Sequence, residues 1–136
     1  MKKRIKIFSL IIALLIISSL IISTSGCASV TKYSTPMTQN ILTAYNSEDY
    51  ASFSKDFDDA MKKELTPDNF AAFIAQIKGP LGNYKDGTLK FVSFNMVNGV
   101  NTVSYTADFD NKTGQAVDVV FQKINDVTKV TGLWFR

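Results

Sequence analysis

Before Leu81 the apolar residues of this chain recur at every third or fourth position; after it they recur at every second. A period near 3.6 places side chains along one stripe of a helix, and a period of two places them on one face of a strand. From Phe91 to Val97 the alternation sets Val92, Phe94 and Met96 against Phe91, Ser93, Asn95 and Val97. Asn98-Gly99 follows, a pair that tolerates positive φ at both positions and so predicts a two-residue hairpin. The return strand sets Val103, Tyr105, Ala107 and Phe109 against Thr102, Ser104, Thr106 and Asp108. "DNKTG" (Asp110 to Gly114) makes a second turn, Val117, Val119 and Phe121 continue the alternation, and Asn125-Asp126 makes a third turn. Val127 to Arg136 is then the last strand. Helices first and an antiparallel meander after them predict an α+β class, with helices packed in the concave face of a curved four-stranded antiparallel sheet.

The helical half carries its own punctuation. Thr35-Pro36 predicts a helix start, a hydroxyl cap followed by proline at the first helical position. Met37, Ile41, Ala44 and Tyr45 form its apolar stripe, and Asn46 to Asp49 ends it. Ser47 is expected to cap a short second helix carrying Tyr50 and Phe53. Thr66-Pro67-Asp68 repeats the start signal ahead of Phe70, Phe73, Ile74 and Ile77, and Gly79-Pro80 predicts the stop.

The first residues have a different character. Met1 to Lys6 carries four of the chain's fifteen basic residues, and Ile7 to Ile22 is uncharged and almost wholly aliphatic. Ser23-Thr-Ser-Gly26 leads into Cys27, the only cysteine. A basic start, an apolar stretch and a small-residue exit make an export signal. The cysteine after Ser25-Gly26 resembles the lipobox of prokaryotic lipoproteins, in which the thiol takes a diacylglycerol and the mature chain ends in lipid, palmitate included. Thr24 departs from the leucine usual there. Sixteen apolar residues span roughly 24 Å as a helix, short of the ~30 Å hydrocarbon core, and flanking Ser and Thr leave an uncleaved anchor as the alternative. Either reading places the rest of the chain outside the cytoplasm, at the cell membrane. The expected organisation is a signal or anchor over 1–26, a tether over 27–35 ("ASVTKYST" has no period) and one domain over 36–136.

From Cys27 onward 11 basic residues face 12 acidic ones, so the overall charge of +3 belongs to the targeting segment. Phosphate backbones need clustered cations, and nucleic acid is excluded as a partner. There is no histidine, which removes the usual zinc sites and Ser-His-Asp or Cys-His catalysis. No cofactor and no metal ligand set is expected. Asp56, Asp58 and Asp59 crowd one stretch, yet they lack the glycine turn and distal glutamate of a calcium loop, and Asp108-x-Asp110 meets Lys112 at the next liganding position.

"AYNSEDYASFSKDFDDAMKKELT" (Ala44 to Thr66), "IKGPLGNYKDG" (Ile77 to Gly87) and "KVTGLWFR" (Lys129 to Arg136) together resemble domain-of-unknown-function family 3887. Their order and spacing carry the resemblance, and they cover nearly the whole domain. The resemblance implies a nuclear-transport-factor-two-like fold, a cystatin-like α+β cone, in small extracytoplasmic domains of lipoproteins and secreted proteins. It brings no catalytic residues. In such a cone Phe53, Phe57 and Met61, spaced by four, point inward, the aspartates around Phe57 lie on the exposed arc, and Ser54 or Asp56 caps the helix carrying Met61.

Two function classes follow. In one, the domain is a non-catalytic binding or accessory module, held to the membrane by its N-terminal lipid or helix and meeting a second copy or a protein partner through the outer sheet face. Leu133, Trp134 and Phe135 give that expectation, because alternation sends apolar side chains to both faces. In the other, it is a small cavity enzyme of the isomerase or dehydratase type, with Tyr45 or Tyr105 as donor and Asp108 or Asp118 as base. Strand alternation turns both aspartates away from the interior. Tyr45, Phe53, Phe57, Tyr105, Phe121 and Trp134 are the candidate pocket lining, and the same rings are what a small core needs.

Overall fold

The structure, a computed structural model, describes residues 25–136. The chain divides into two units, Met1–Thr31 and Lys32–Arg136. The export signal or anchor expected over 1–26 lies almost entirely outside the described residues. In the first unit Cys27 is free and exposed, and its carbonyl accepts from Thr31 Oγ1 at 2.9 Å. Among the described residues no helix is long and apolar enough to cross a membrane.

Among the described residues four helices precede four strands: α1 (Ser25–Ser47), α2 (Tyr50–Phe53), α3 (Asp59–Glu64), α4 (Pro67–Leu81), β1 (Lys90–Val97), β2 (Val100–Ala107), β3 (Gln115–Ile124) and β4 (Val127–Phe135). The strands form one curved antiparallel sheet in the order β1-β2-β3-β4. This is the α+β arrangement that the change of period predicts. Asn98 and Gly99 both take positive φ in the first hairpin, as do Asn125 and Asp126 in the third.

Several helix boundaries differ from expectation. The helix α1, described from Ser25 onward, passes through the stretch expected to be a tether, so Pro36 lies inside it. Proline there removes the N–H that would bond the carbonyl of Lys32. Tertiary contacts just before it offset that loss: the Tyr33 ring stands edge-on to Phe121 at 5.5 Å, and Ser34 is buried against Tyr105. Asp49, not Ser47, caps α2, accepting from Ser52 N at 3.2 Å. Asp58, rather than Ser54 or Asp56, caps α3, accepting from Met61 N at 2.9 Å. Acids at that end and Lys62 and Lys63 at the other both suit the helix dipole.

Thr66 does cap α4, its N–H bonded to Asn69 Oδ1 at 2.8 Å. That helix runs past Gly79-Pro80 to Leu81, and Gly82 ends it at φ +75°. Gly82 is required there by more than its dihedral. A side chain would come within 2.6 Å of Asp110 Cβ, while the glycine carbonyl accepts the Tyr45 hydroxyl at 2.7 Å.

The helices cover one face of the sheet. On it Val103, Tyr105, Ala107, Val117, Val119, Phe121 and Val130 are buried, packed under Ile41, Leu42, Tyr45, Phe53, Phe57, Phe70 and Ile74. Two bulges adjust the pattern. One falls between Phe91 and Ser93, the other opposite Val120/Phe121 on β4. The first overturns the simple alternation of β1: Phe91 pairs with Tyr105 and Phe94 with Val103, so Phe91 shares the inner face with Phe94 and Met96.

Candidate functional site

The six candidate aromatics do not share one space. Tyr45, Phe53, Phe57, Tyr105 and Phe121 are fully buried. Phe53 and Phe57 meet edge-to-face at 5.4 Å, and Phe53 also packs on Phe70 at 5.1 Å. Tyr45 stands edge-on to Phe109 at 5.9 Å. Trp134 is on the outer face, opposite Asp118, and remains 47% exposed.

The buried tyrosine hydroxyls are occupied, whereas Thr38 Oγ1 and Asn101 Oδ1 are buried without a hydrogen-bond partner among the described residues. Tyr45 donates to the Gly82 carbonyl, and burial pushes its phenol up to about 12, with Asp110 and Glu48 adding to the effect. The Lys78 ammonium lies 5.5 Å from the same ring and forms an ion pair with Glu48 at 2.8 Å. Tyr105 Oη lies 2.6 Å from Ser34 Oγ and 3.3 Å from Thr35 Oγ1. Burial likewise raises the Tyr33 phenol, although the Asn101 amide donating to it at 3.0 Å acts the other way. Neither Tyr45 nor Tyr105 hydrogen-bonds a carboxylate.

The aspartates offered as bases have other partners. Asp108 Oδ1 accepts from Gly114 N at 2.7 Å and so ties the β2–β3 loop. Asp118 pairs with Arg136 at 2.9 Å on the outer face. Asp58 is the α3 cap, and its tripeptide does something no local signal announces. Val130 N donates to Asp56 O at 2.8 Å and Asp58 N donates to Val130 O at 3.0 Å, a short parallel bridge on the free edge of β4. Phe57, at the centre of that bridge, is driven into the core. Among the described residues no three acidic or thiol side chains converge as a metal site would need.

The surface holds shallow grooves. One of about 390 Å³ runs between α3 and the β3–β4 hairpin, past Asp59, Lys62, Asn125, Val127 and Lys129. Another, of about 230 Å³, lies between Met61, Leu65, Phe73 and Leu133. Phe57 forms part of the floor of both and is the one candidate aromatic that lines either.

The outer face carries the feature that sequence reasoning missed. Gly132 is buried because the Trp134 indole lies over it, and a Cβ at that position would overlap the ring. The residues "TGLWF" contain the signal, a glycine two positions before the tryptophan and therefore on the same strand face. Around the indole the face is mostly polar, with Thr102, Ser104, Thr106, Asp118 and Gln122 pointing outward from β2 and β3 and Val120 among them opposite Gly132.

These observations define a small α+β domain with an aromatic interior, its buried tyrosine hydroxyls in structural bonds and one seated tryptophan outside. Residues 38–133 match the family model described as "Protein of unknown function (DUF3887)", and the chain belongs to that family. No curated protein matches the chain.

Proposed function

We propose that this chain is a membrane-anchored extracytoplasmic lipoprotein whose domain is a binding or accessory module, docking a partner through the outer face of its sheet. The carrying observation is the division of the six aromatics. Five fill the interior, Tyr45 bonded there to a backbone carbonyl and Tyr105 to a serine hydroxyl, and the sixth, Trp134, lies over a glycine seat where it can meet another surface. Tryptophan in such a position is the residue type most enriched at the energetic centres of interfaces. The isomerase or dehydratase reading needs a desolvated carboxylate beside a phenol, and the aspartates and tyrosines here are engaged elsewhere. Support for the anchor comes from the basic and aliphatic run that ends at Cys27, and from the free, exposed state of that cysteine.

Intact mass of the native protein tests the anchor. A chain beginning at lipid-modified Cys27 is expected, and Cys27→Ser leaves a longer precursor without lipid. An unmodified N-terminus at Met1 defeats the lipoprotein reading. A photoreactive residue at Ser104 tests the docking face in intact cells. One discrete adduct, lost in Trp134→Ser, is expected; adducts indifferent to that substitution would overturn the assignment.

A further inference from the structure

The two edges of the sheet are treated differently. The Asp56–Asp58 segment occupies the β4 edge at Val130. On the β1 edge, among the described residues, Lys90–Val97 has no backbone partner other than β2. An unpaired edge is a template for another strand, and proteins blunt it with charges, proline or a cover. The run Phe91–Val97 contains no charge and no proline. Its apolar side chains are also left in solvent: Val92, Met96 and Val97 are each 57% exposed, and Phe91 is 36% exposed. Bulges can turn an edge away, but the one at Val92 lies at the start of the strand and leaves Ser93–Val97 regular.

We propose that β1 is a self-pairing strand: Ser93–Val97 of one copy pairs antiparallel with the same segment of a second copy, joining two four-stranded sheets into one. The sequence of the strand favours a copy of itself as the occupant. Pairing must keep inner residues opposite inner residues, and a two-fold axis at Asn95 does so while pairing all five positions. Phe94 then faces Met96 of the second copy on the inner side, and Ser93 faces Val97 on the outer side. Asn95 faces its own counterpart. No like charges are brought together, and the thioether–aromatic contact is favourable. A symmetric interface of this kind closes at two copies, and the occupied β4 edge keeps the joined sheet from growing further. This pairing uses the edge, not the outer face, and stands independently of the docking proposed above.

The test is cysteine crosslinking of the full chain in detergent micelles. Directly opposed residues of an antiparallel pair have Cα atoms ~4.5–5.5 Å apart, within disulfide range. Asn95→Cys is therefore expected to give a disulfide-linked species of twice the chain mass under mild oxidation. Wild type, with Cys27 alone, and Asp126→Cys on the distant hairpin are expected not to. Adding Met96→Lys to Asn95→Cys should lower the yield at least tenfold, and the exposed position keeps that variant folded. A monomeric Asn95→Cys chain with a wild-type melting curve would overturn the proposal. So would an internal disulfide in Asn95→Cys between Cys27 and the introduced thiol, which would mean that the chain's own N-terminal residues cover β1. An adduct of any mass other than twice the chain would assign the edge to a different protein.

Discussion

The hydroxyls of Ser34 and Tyr105 lie 2.6 Å apart in the interior, 71 residues apart in sequence. Ser34 sits two residues before Pro36 in α1, so this bond holds the helix to β2 where its own backbone ladder is interrupted. Removing the tyrosine hydroxyl strands Ser34, at a cost of about 1–3 kcal/mol, while removing the serine leaves Tyr105 the more distant Thr35 Oγ1 at 3.3 Å. Tyr105→Phe should show a loss of that order in urea melts, and Ser34→Ala a smaller one. The double variant should lose clearly less than the sum, because the two act as one unit. Additive losses would mean that the bond contributes nothing of its own.

Phe57 and its neighbours separate packing from charge. Phe57→Ala should cost about 3–5 kcal/mol, as deletion of a buried ring does. Asp58→Ala should cost about 1 kcal/mol through the lost cap, while Asp58→Asn keeps a capping oxygen and stays close to wild type. Asp59→Asn should change stability by less than about 0.5 kcal/mol. Calcium raising the melting temperature, with the rise lost in Asp58→Asn/Asp59→Asn, would reverse the structural reading of these acids.

The seat of the indole has a direct optical readout, because Trp134 is the only tryptophan. In Gly132→Ala the new methyl meets the far edge of the ring, which can swing away into solvent. A red-shifted emission with greater acrylamide quenching is expected, at a stability cost at or below about 1 kcal/mol. Unchanged emission would place the ring off the glycine.

Tyr45 supplies a pH dependence. Its phenol ionises near 10.0 when unfolded and is held up to about 12 in the fold, first by burial and then by Asp110 and Glu48. A raised acid favours the neutral folded form. The associated stability is complete below pH 10 and is lost as pH rises toward 12. Absorbance titration should show a late phenolate step missing in Tyr45→Phe. A wild-type chain with every tyrosine ionised by about pH 11 while still folded would contradict this.

Much of the fold is legible where one local signal decides one element. Asn98-Gly99 and Asn125-Asp126 name their turns through positive φ, and the alternation of Val103, Tyr105 and Ala107 names its buried face. Local signals misled where tertiary contacts override them. Pro36 marks a helix start in isolation, but Tyr33 and Ser34 are pinned to the sheet and the helix continues through it. The Val92 bulge exchanges Phe91 between faces, and an inserted residue leaves no trace in a period-two pattern. The candidate aromatics were recognisable as apolar and large, yet only strand register separates Trp134 from the other five. The bridge to Val130 was invisible for the same reason, since it joins backbone groups and asks nothing of the side chains.

That bridge also sets an order of events. Asp56 and Asp58 are hydrogen-bonded to Val130, far later in the chain, and the Tyr45 ring lies 6.1 Å from that of Phe135, the penultimate residue. Between them in sequence, α2 and α3 have four and six residues, too few to persist alone. They cannot settle as they are synthesised. Completion waits for β4, so the domain stays open and threadable until that strand is made, then closes in a single long-range step.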